Sequence, residues 1–324
     1  MSHKNKLIPL ASIPNEHQRS DTGTYLTLSN WCIFFIKEDF LRFLNENNTR
    51  QFPYWENIKL YWFYYYLSYT LTNGKNINIF SHVKMTLNAL IFTSEYFLKL
   101  TYDYCVHFLR KTTLKSAKES LLDTINQEYL YFIKNSPWYE FDFLSRLIAY
   151  YKYNPSREKG VKIKFTEIEK TIFLSLSFLF KQLIAASIKL VNSINYNQTN
   201  KTTVIELDYF PQTLEKNQEI NTVGEYRKHV LLELPRYKGI KEYLQKVSLD
   251  NNLYSIAGNE GIILVSCKFD KSKASLIKLT PVITNKENEQ NQIRSIYPVP
   301  VAYLIGFIKY CNNKKIAVEQ ILEY

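Results

Sequence analysis

Asn76–Lys111 reads NINIFSHVKMTLNALIFTSEYFLKLTYDYCVHFLRK. Apolar residues return every three or four positions, which predicts a long helix over 79–109 with Thr93–Ser94 as its candidate break. A helix of that length sets the character of the N-terminal half. Two of the five histidines, His82 and His107, also lie in this stretch, so it is the first place to look for chemistry.

Helical patterning extends outward on both sides. Trp31–Asn45 places Phe34, Phe35, Phe40, Leu41 and Leu44 near one face. Pro53 stands where a first helical turn tolerates it. Tyr54–Leu71, YWENIKLYWFYYYLSYTL, follows and is apolar nearly all round, as a helix central to a core would be. Asn73-Gly74 ends it. Downstream, helices are expected at Leu114–Lys134 and Trp138–Tyr153, separated by Asn135-Ser136-Pro137. A basic connection, SREKGVKIKF, leads to Thr166 and Glu169, a capping box that would open a helix running to about Asn195. Within it, Thr171–Val191 approaches bilayer length. Lys181 and Gln182 sit at its centre, and a lysine at mid-span costs roughly 2.5–3.5 kcal/mol on insertion. The expectation is a buried helix and no transmembrane segment.

The character changes at Tyr196. A polar linker, NYNQTNKTT, leads into short alternating segments. TTVIELDYF reads as a strand ending at Pro211, and HVLLELP fits either a strand or a short helix. Lys238–Val247 is helical. NLYSIA and GIILVSC flank Gly258-Asn259-Glu260-Gly261 as an antiparallel hairpin at 252–267. ASLIKLTPVI would be a third strand, and the C-terminal stretch from Val301 holds one or two helices. No internal repeat is visible. The expected organisation is an arm at 1–24, an α-helical N-terminal domain at 25–197 and a smaller α+β domain at 198–324. Its helix-then-hairpin at 238–267 is the local order of a winged helix, shared by many other small domains.

Composition bounds the function classes. The 324 residues include 26 Tyr and 20 Phe against 8 Gly, and the formal charge is +11. That charge favours nucleic acid, an acidic membrane surface or an acidic protein. An AT-rich genome supplies the same Lys, Asn, Tyr and Phe with no functional meaning. The four cysteines, Cys32, Cys105, Cys267 and Cys311, form no C-x-x-C pair, so a zinc ribbon or redox motif is not expected. A reducing, cytoplasmic compartment is the simpler reading. The N-terminal 25 residues lack a continuous apolar core, so no leader is expected. There is no P-loop, no G-x-S-x-G and no G-x-G-x-x-G. No cofactor is implied.

His82 and His107 are the one metal-like hint. Metal-dependent phosphohydrolases of the HD type take a histidine from one helix and an adjacent His-Asp from a later one, because the carboxylate holds a hard cation beside the imidazoles. Here His107 is followed by Phe108, which cannot ligate, and no His-Asp dipeptide occurs. With Leu7-Ile8-Pro9-Leu10, Asn73-Gly74, Ile79–Leu87 around His82 and Cys105–Lys111 around His107, the N-terminal half resembles the HD-like helical domain of TraI-type relaxases from integrative conjugative elements. Ile240–Cys267 is similar to that family's small C-terminal domain. The family's double glycine and upstream histidine pair are missing, and Arg110 replaces a glycine. The resemblance therefore implies a degenerate, non-catalytic copy with a DNA-processing or scaffolding role in a conjugative element. Pro137–Phe143, PWYEFDF, is also similar to a segment of a type VI secretion baseplate wedge protein.

Two basic clusters complete the reading. Lys152, Arg157, Lys159, Lys162 and Lys164 share one connection, interleaved with Tyr150, Tyr151, Tyr153 and Phe165. Arg236, Lys238, Lys241 and Lys246 lie on or beside the 238–247 helix. Lysine and arginine neutralise phosphates and aromatics stack unpaired bases, so these nine are the candidate nucleic-acid-binding residues. Ordinary solvated surfaces carry the same pattern. The sequence thus supports a non-catalytic nucleic-acid-binding accessory protein, with a scaffold component of a secretion or other multiprotein assembly as the alternative. Self-association fits the second.

Overall fold

A computed structural model describes residues 8–18, 23–45, 51–72, 79–109, 117–153, 161–195, 202–211, 220–236, 238–247, 249–286 and 291–322. The chain divides into two compact units: Ser29–Tyr196, and Met1–Leu28 together with Asn197–Tyr324. The first is helical and the second is α+β. The helices run α1 (Gly23–Leu26), α2 (Leu28–Asn45), α3 (Tyr54–Leu71), α4 (Ile79–Leu109), α5 (Ala117–Asn135), α6 (Phe143–Lys152) and α7 (Val161–Asn195). No helix among the described residues is long and apolar enough to cross a membrane.

The helical unit is held by aromatic packing. Tyr61 stacks on Phe92 at 4.6 Å, and Phe92 on Tyr96 at 4.3 Å. Phe40, Phe52 and Tyr54 meet edge to face below them. Such pairs add on the order of 0.5–1.5 kcal/mol each beyond the area they bury. The helix α4 continues through Thr93–Ser94 without the expected break. The segment expected as one helix at Trp138–Tyr153 instead opens with a 3₁₀ turn at Trp138–Glu140 and restarts at Phe143. Asp142 causes the restart: its Oδ1 accepts from the Ser145 amide at 3.0 Å, satisfying a free first-turn donor. Those bonds from Ser145 hold the Asp142 carboxyl below its usual range. The capping box assigned to Thr166 and Glu169 lies inside α7, which already begins at Val161.

The α+β unit contains β1 (Thr202–Leu207), β2 (Asn221–Tyr226), β3 (His229–Pro235), α8 (Lys238–Lys246), β4 (Leu253–Ile256), β5 (Ile262–Asp270), β6 (Ile283–Lys286), β7 (Gln292–Pro300), α9 (Leu304–Asn313) and β8 (Ala317–Leu322). One antiparallel sheet has the order β2-β3-β1-β4 and the other β6-β7-β5-β8. The hairpin expected at 252–267 is therefore not formed, because β4 and β5 belong to different sheets. The segment from Ala274, expected as a strand, is a 3₁₀ turn at Lys271–Leu276 followed by β6. The stretch from Val301, expected to hold one or two helices, contains α9 and then the strand β8.

The two sheets repeat one another, although the sequence shows no repeat. Replacing β1–β4 by β5–β8 reproduces the strand order, and each set places its helix between the third and fourth strands. The register repeats too. Ile205 faces Leu232 and Ile256; Val265 faces Tyr297 and Ile321. Gly224 faces Leu231 as Ile283 faces Ile296. Buried Ile240 and Leu244 of α8, with Val247 just after it, recur as Leu304, Ile308 and Cys311 of α9. Both halves share one apolar core.

The segment expected as an arm packs onto this unit. Ile8–Leu10 runs beside β2, with Leu10 N donating to Glu225 O at 2.7 Å and Glu225 N to Ile8 O at 2.9 Å. A Cβ on Gly224 would stand 2.6 Å from Ile8 O, so only glycine permits this approach. Ile13 packs on Val204 and Leu231. The Thr24 hydroxyl donates to Leu322 O and accepts from Leu264 N.

Candidate functional site

The helical unit is inverted in polarity around one carboxylate. Helical spacing turns Glu95 and Lys99 of α4 inward together, one turn apart. Lys37 of α2 and Lys181 of α7 point at the same place. Glu95 Oε1 is 2.8 Å from Lys37 Nζ and 2.8 Å from Lys99 Nζ, and Oε2 is 2.9 Å from Lys181 Nζ. Aromatic faces close the shell. Lys99 Nζ lies 4.2 Å from the Phe40 ring centre, Lys37 and Lys181 each 5.3 Å from that of Tyr129, and Lys181 5.5 Å from that of Phe143. Ring faces are negative, so they accommodate cations.

Three ammonium groups against one carboxylate leave the centre over-cationic. Burial, aided by the neighbouring lysines against the pull of Glu95, draws Lys181 down to about 7 and Lys99 to about 8. Burial works to raise the Glu95 carboxyl, but Lys181, Lys37 and Lys99 overcome it and hold it well below the carboxylate range. Burial and the Glu95 charge push the Tyr96 and Tyr129 phenols well above theirs. The cluster can release or take up protons inside the core near neutral pH.

While the charges turn inward, apolar side chains turn outward. On α3, Trp55, Trp62, Phe63, Tyr66 and Tyr69 are exposed. Trp62 Nε1 donates to Thr93 Oγ1 at 3.0 Å, which sets this ridge beside exposed Leu90 and Phe97 of α4. On α6, Leu144, Ile148 and Tyr151 are exposed, and on α7 Ile172, Leu176, Leu179, Phe180 and Leu183. Tyr151 Oη and Ser175 Oγ, 2.7 Å apart, join the α6 and α7 rows into one face.

The histidines do not form a site. Both lie on α4, 25 positions apart, roughly 37 Å at 1.5 Å per residue, too far to share a metal. The His82 ring packs edge-on against Tyr69 and Tyr65, with Thr86 Oγ1 3.4 Å from its Nδ1. The His107 side chain lies outside the described residues. Among the described residues no group of His, Cys, Asp or Glu is arranged to hold a metal.

The basic clusters are only partly described. Lys152 is exposed at the end of α6. Arg157 and Lys159 lie outside the described residues, as do the side chains of Lys162, Lys164 and Lys238. Arg236 is half-buried. Lys241 donates to Glu319 O at 3.2 Å, so its ammonium is engaged within the fold. Lys246 is exposed at the end of α8. Lys152 belongs to the helical unit and the second cluster to the α+β unit.

One polar set in the α+β unit has the residue types of a hydrolase. Buried Glu206 is 2.8 Å from His229 Nδ1 and accepts from Ser255 Oγ at 2.9 Å. The serine bonds the carboxylate and not the imidazole, so the base-to-nucleophile contact of a catalytic triad is missing. Its counterpart in the second half is structural as well: Arg294 makes a two-pronged bond to Glu319 at 2.7 and 2.9 Å, and Ser266 donates to Glu319 at 3.0 Å.

Sequence reasoning noticed Lys181 but missed Glu95, Lys37 and Lys99. The available signal was an ionisable residue at helical spacing among apolar neighbours on each of three helices. No protein-family model matches the chain, and neither the curated proteins nor the solved structures contain a match to it.

Proposed function

We propose that the protein is a non-catalytic structural component of a cytoplasmic multiprotein assembly, which docks on a different protein through the α3–α4 ridge. The carrying observation is the exposure of Trp55, Trp62, Phe63, Tyr66 and Tyr69 on one helix beside Leu90 and Phe97 of the next. Tryptophan and tyrosine in that density are what interface centres use, since their rings bury area and their N–H or O–H tips still find partners. A ridge of this kind rarely stays bare in a lone soluble protein. Photo-crosslinking from positions 62 and 66 in the native cell tests the reading. One defined partner, lost on Phe63→Ala with Tyr69→Ala, is expected. Absence of any crosslink to another protein would sink it.

A second reading, the nucleic-acid-binding accessory role, rests on the charge of +11 and on exposed Lys152 and Lys246. A winged-helix mode would need β4 and β5 to pair, so this reading stands on charge. An anisotropy titration with single- and double-stranded DNA and RNA at low salt decides it. Affinity falling about one log unit per log unit of salt for each phosphate neutralised supports it. No binding at micromolar protein removes it.

A further inference from the structure

The α6–α7 face differs in chemistry from the α3–α4 ridge. Its exposed side chains are Leu144, Ile148 and Tyr151 on α6, with Ile172, Leu176, Leu179, Phe180 and Leu183 on α7, each between 44% and 69% exposed. Seven of the eight carry no polar atom. From Ile172 to Ser187 the one ionisable side chain is Lys181, and it turns inward to Glu95. Lys152 and Lys189 stand exposed at the margins of the rows.

We infer that this face is the seat of a second copy of the same chain, the two α6–α7 hairpins packing about a two-fold axis as four helices. Four features select that occupant. The composition is that of homodimer cores, which are more apolar than other interfaces and poor in charge at their centre. The area fits: eight large side chains, each about half exposed, present several hundred Å², comparable to the roughly 800 Å² that one partner contributes to a standard stable interface. The face is also uncharged. A protein of net charge +11 meets its own copy there without like charges opposed, while an acidic partner would find no central cation to pair with. Positions 172, 176, 179 and 183 form an i, i+4, i+7, i+11 ridge, which can interlock with the same ridge of a copy. The inference is independent of the α3–α4 partner, because either face can be occupied while the other is bare.

Sedimentation of the full chain at micromolar concentration tests it. The wild type is expected at twice the chain mass. Leu176→Glu with Leu183→Glu, which places four charges in the joint, is expected to weaken the dimer on the order of 100-fold or more with unchanged far-ultraviolet circular dichroism. Leu249→Glu, at an exposed loop position of the other unit, is expected to leave the dimer intact. Single cysteines at 176, 179, 180 and 183 give a second measurement that does not depend on the glutamate variants folding. At least one should form a disulfide-linked dimer on oxidation beyond the wild-type background. A monomeric wild type, a dimer that survives the double glutamate substitution, or a cysteine scan with no cross-link at any position each overturns the inference. A wild type that is monomeric in solution but floats with phosphatidylserine vesicles also overturns it and assigns the face to lipid.

Discussion

Glu95→Gln should cost most of the stability of the helical unit, while Lys181→Met should increase it. The asymmetry follows from one carboxylate serving three ammonium groups at 2.8, 2.8 and 2.9 Å. Glutamine keeps the shape and one acceptor oxygen but removes the negative charge that all three lysines contact. Removing one partner of a buried ion pair costs about 3–5 kcal/mol. A stranded lysine can also escape by shedding its proton, at about 1.36 kcal/mol per unit between pH 7 and an ordinary value near 10.4, so about 5 kcal/mol caps its cost. Lys181, at about 7, already stands near that cap; Lys99, at about 8, stands closer to it than an exposed lysine. The expected loss is on the order of 5 kcal/mol, against the roughly 5–15 kcal/mol that holds a domain together. Methionine at 181 keeps the length and the contact with Phe143 and Tyr129 while removing one surplus cation. A gain of about 1–3 kcal/mol is expected, as when buried ions give way to apolar residues of similar size. Urea titrations at pH 7, followed by circular dichroism and by tyrosine and tryptophan fluorescence, measure both. If Lys181→Met destabilises as much as Glu95→Gln, the cluster is a balanced network and the over-cationic reasoning is refuted.

Stability should climb as pH rises from about 7 toward 10. Lys181 and Lys99 are held below their ordinary value, so in that window the unfolded chain binds protons that the folded chain has released. The gain between pH 7 and 9 should be on the order of 2–4 kcal/mol by chemical denaturation, and Lys181→Met should flatten it. Above about pH 10 stability should fall, since buried Tyr96 and Tyr129 keep protons that the unfolded chain gives up. Gly224→Ala should free the Ile8–Ile13 segment, its Cβ meeting Ile8 O at 2.6 Å. Hydrogen exchange at Leu10 and Glu225 should accelerate at least tenfold, and unchanged protection would show that the approach can yield. Cys32, Cys267 and Cys311 are buried thiols, so they should resist an aromatic disulfide reagent until the chain unfolds; prompt reaction of all three in the folded state would contradict their burial.

The helix pattern was legible because it is local. Tyr54–Leu71 and Ile79–Leu109 stand at the bounds that periodicity and their flanking Pro53 and Asn73-Gly74 predict. The change to strands after Tyr196 was equally plain, as runs of alternation replace runs of period 3.6. The β2–β3 turn escaped notice because Arg227 and Lys228 both adopt positive φ, at 50° and 67°, where Asn-Gly would have announced the bend.

What tertiary structure decided is everything that depends on which distant residues meet. Residue chemistry made Lys181 an argument against a membrane span, since a mid-span lysine is costly to leave in lipid, but a lysine is ordinarily a surface residue and only the fold turns this one inward. Nothing local names Glu95, 86 positions earlier, as its partner (181 − 95). Tyr54–Leu71 is apolar nearly all round, so its own sequence cannot say that Tyr61 and Tyr64 go inward and Trp62 and Phe63 outward; packing against α4 decides that. The two halves of the α+β unit repeat in backbone register while the side chains differ, Glu206 facing Leu231 where Ser266 faces Ile296. Strand pairing is made by backbone groups that every residue but proline carries, so the same topology recurs with no residue identity to betray it.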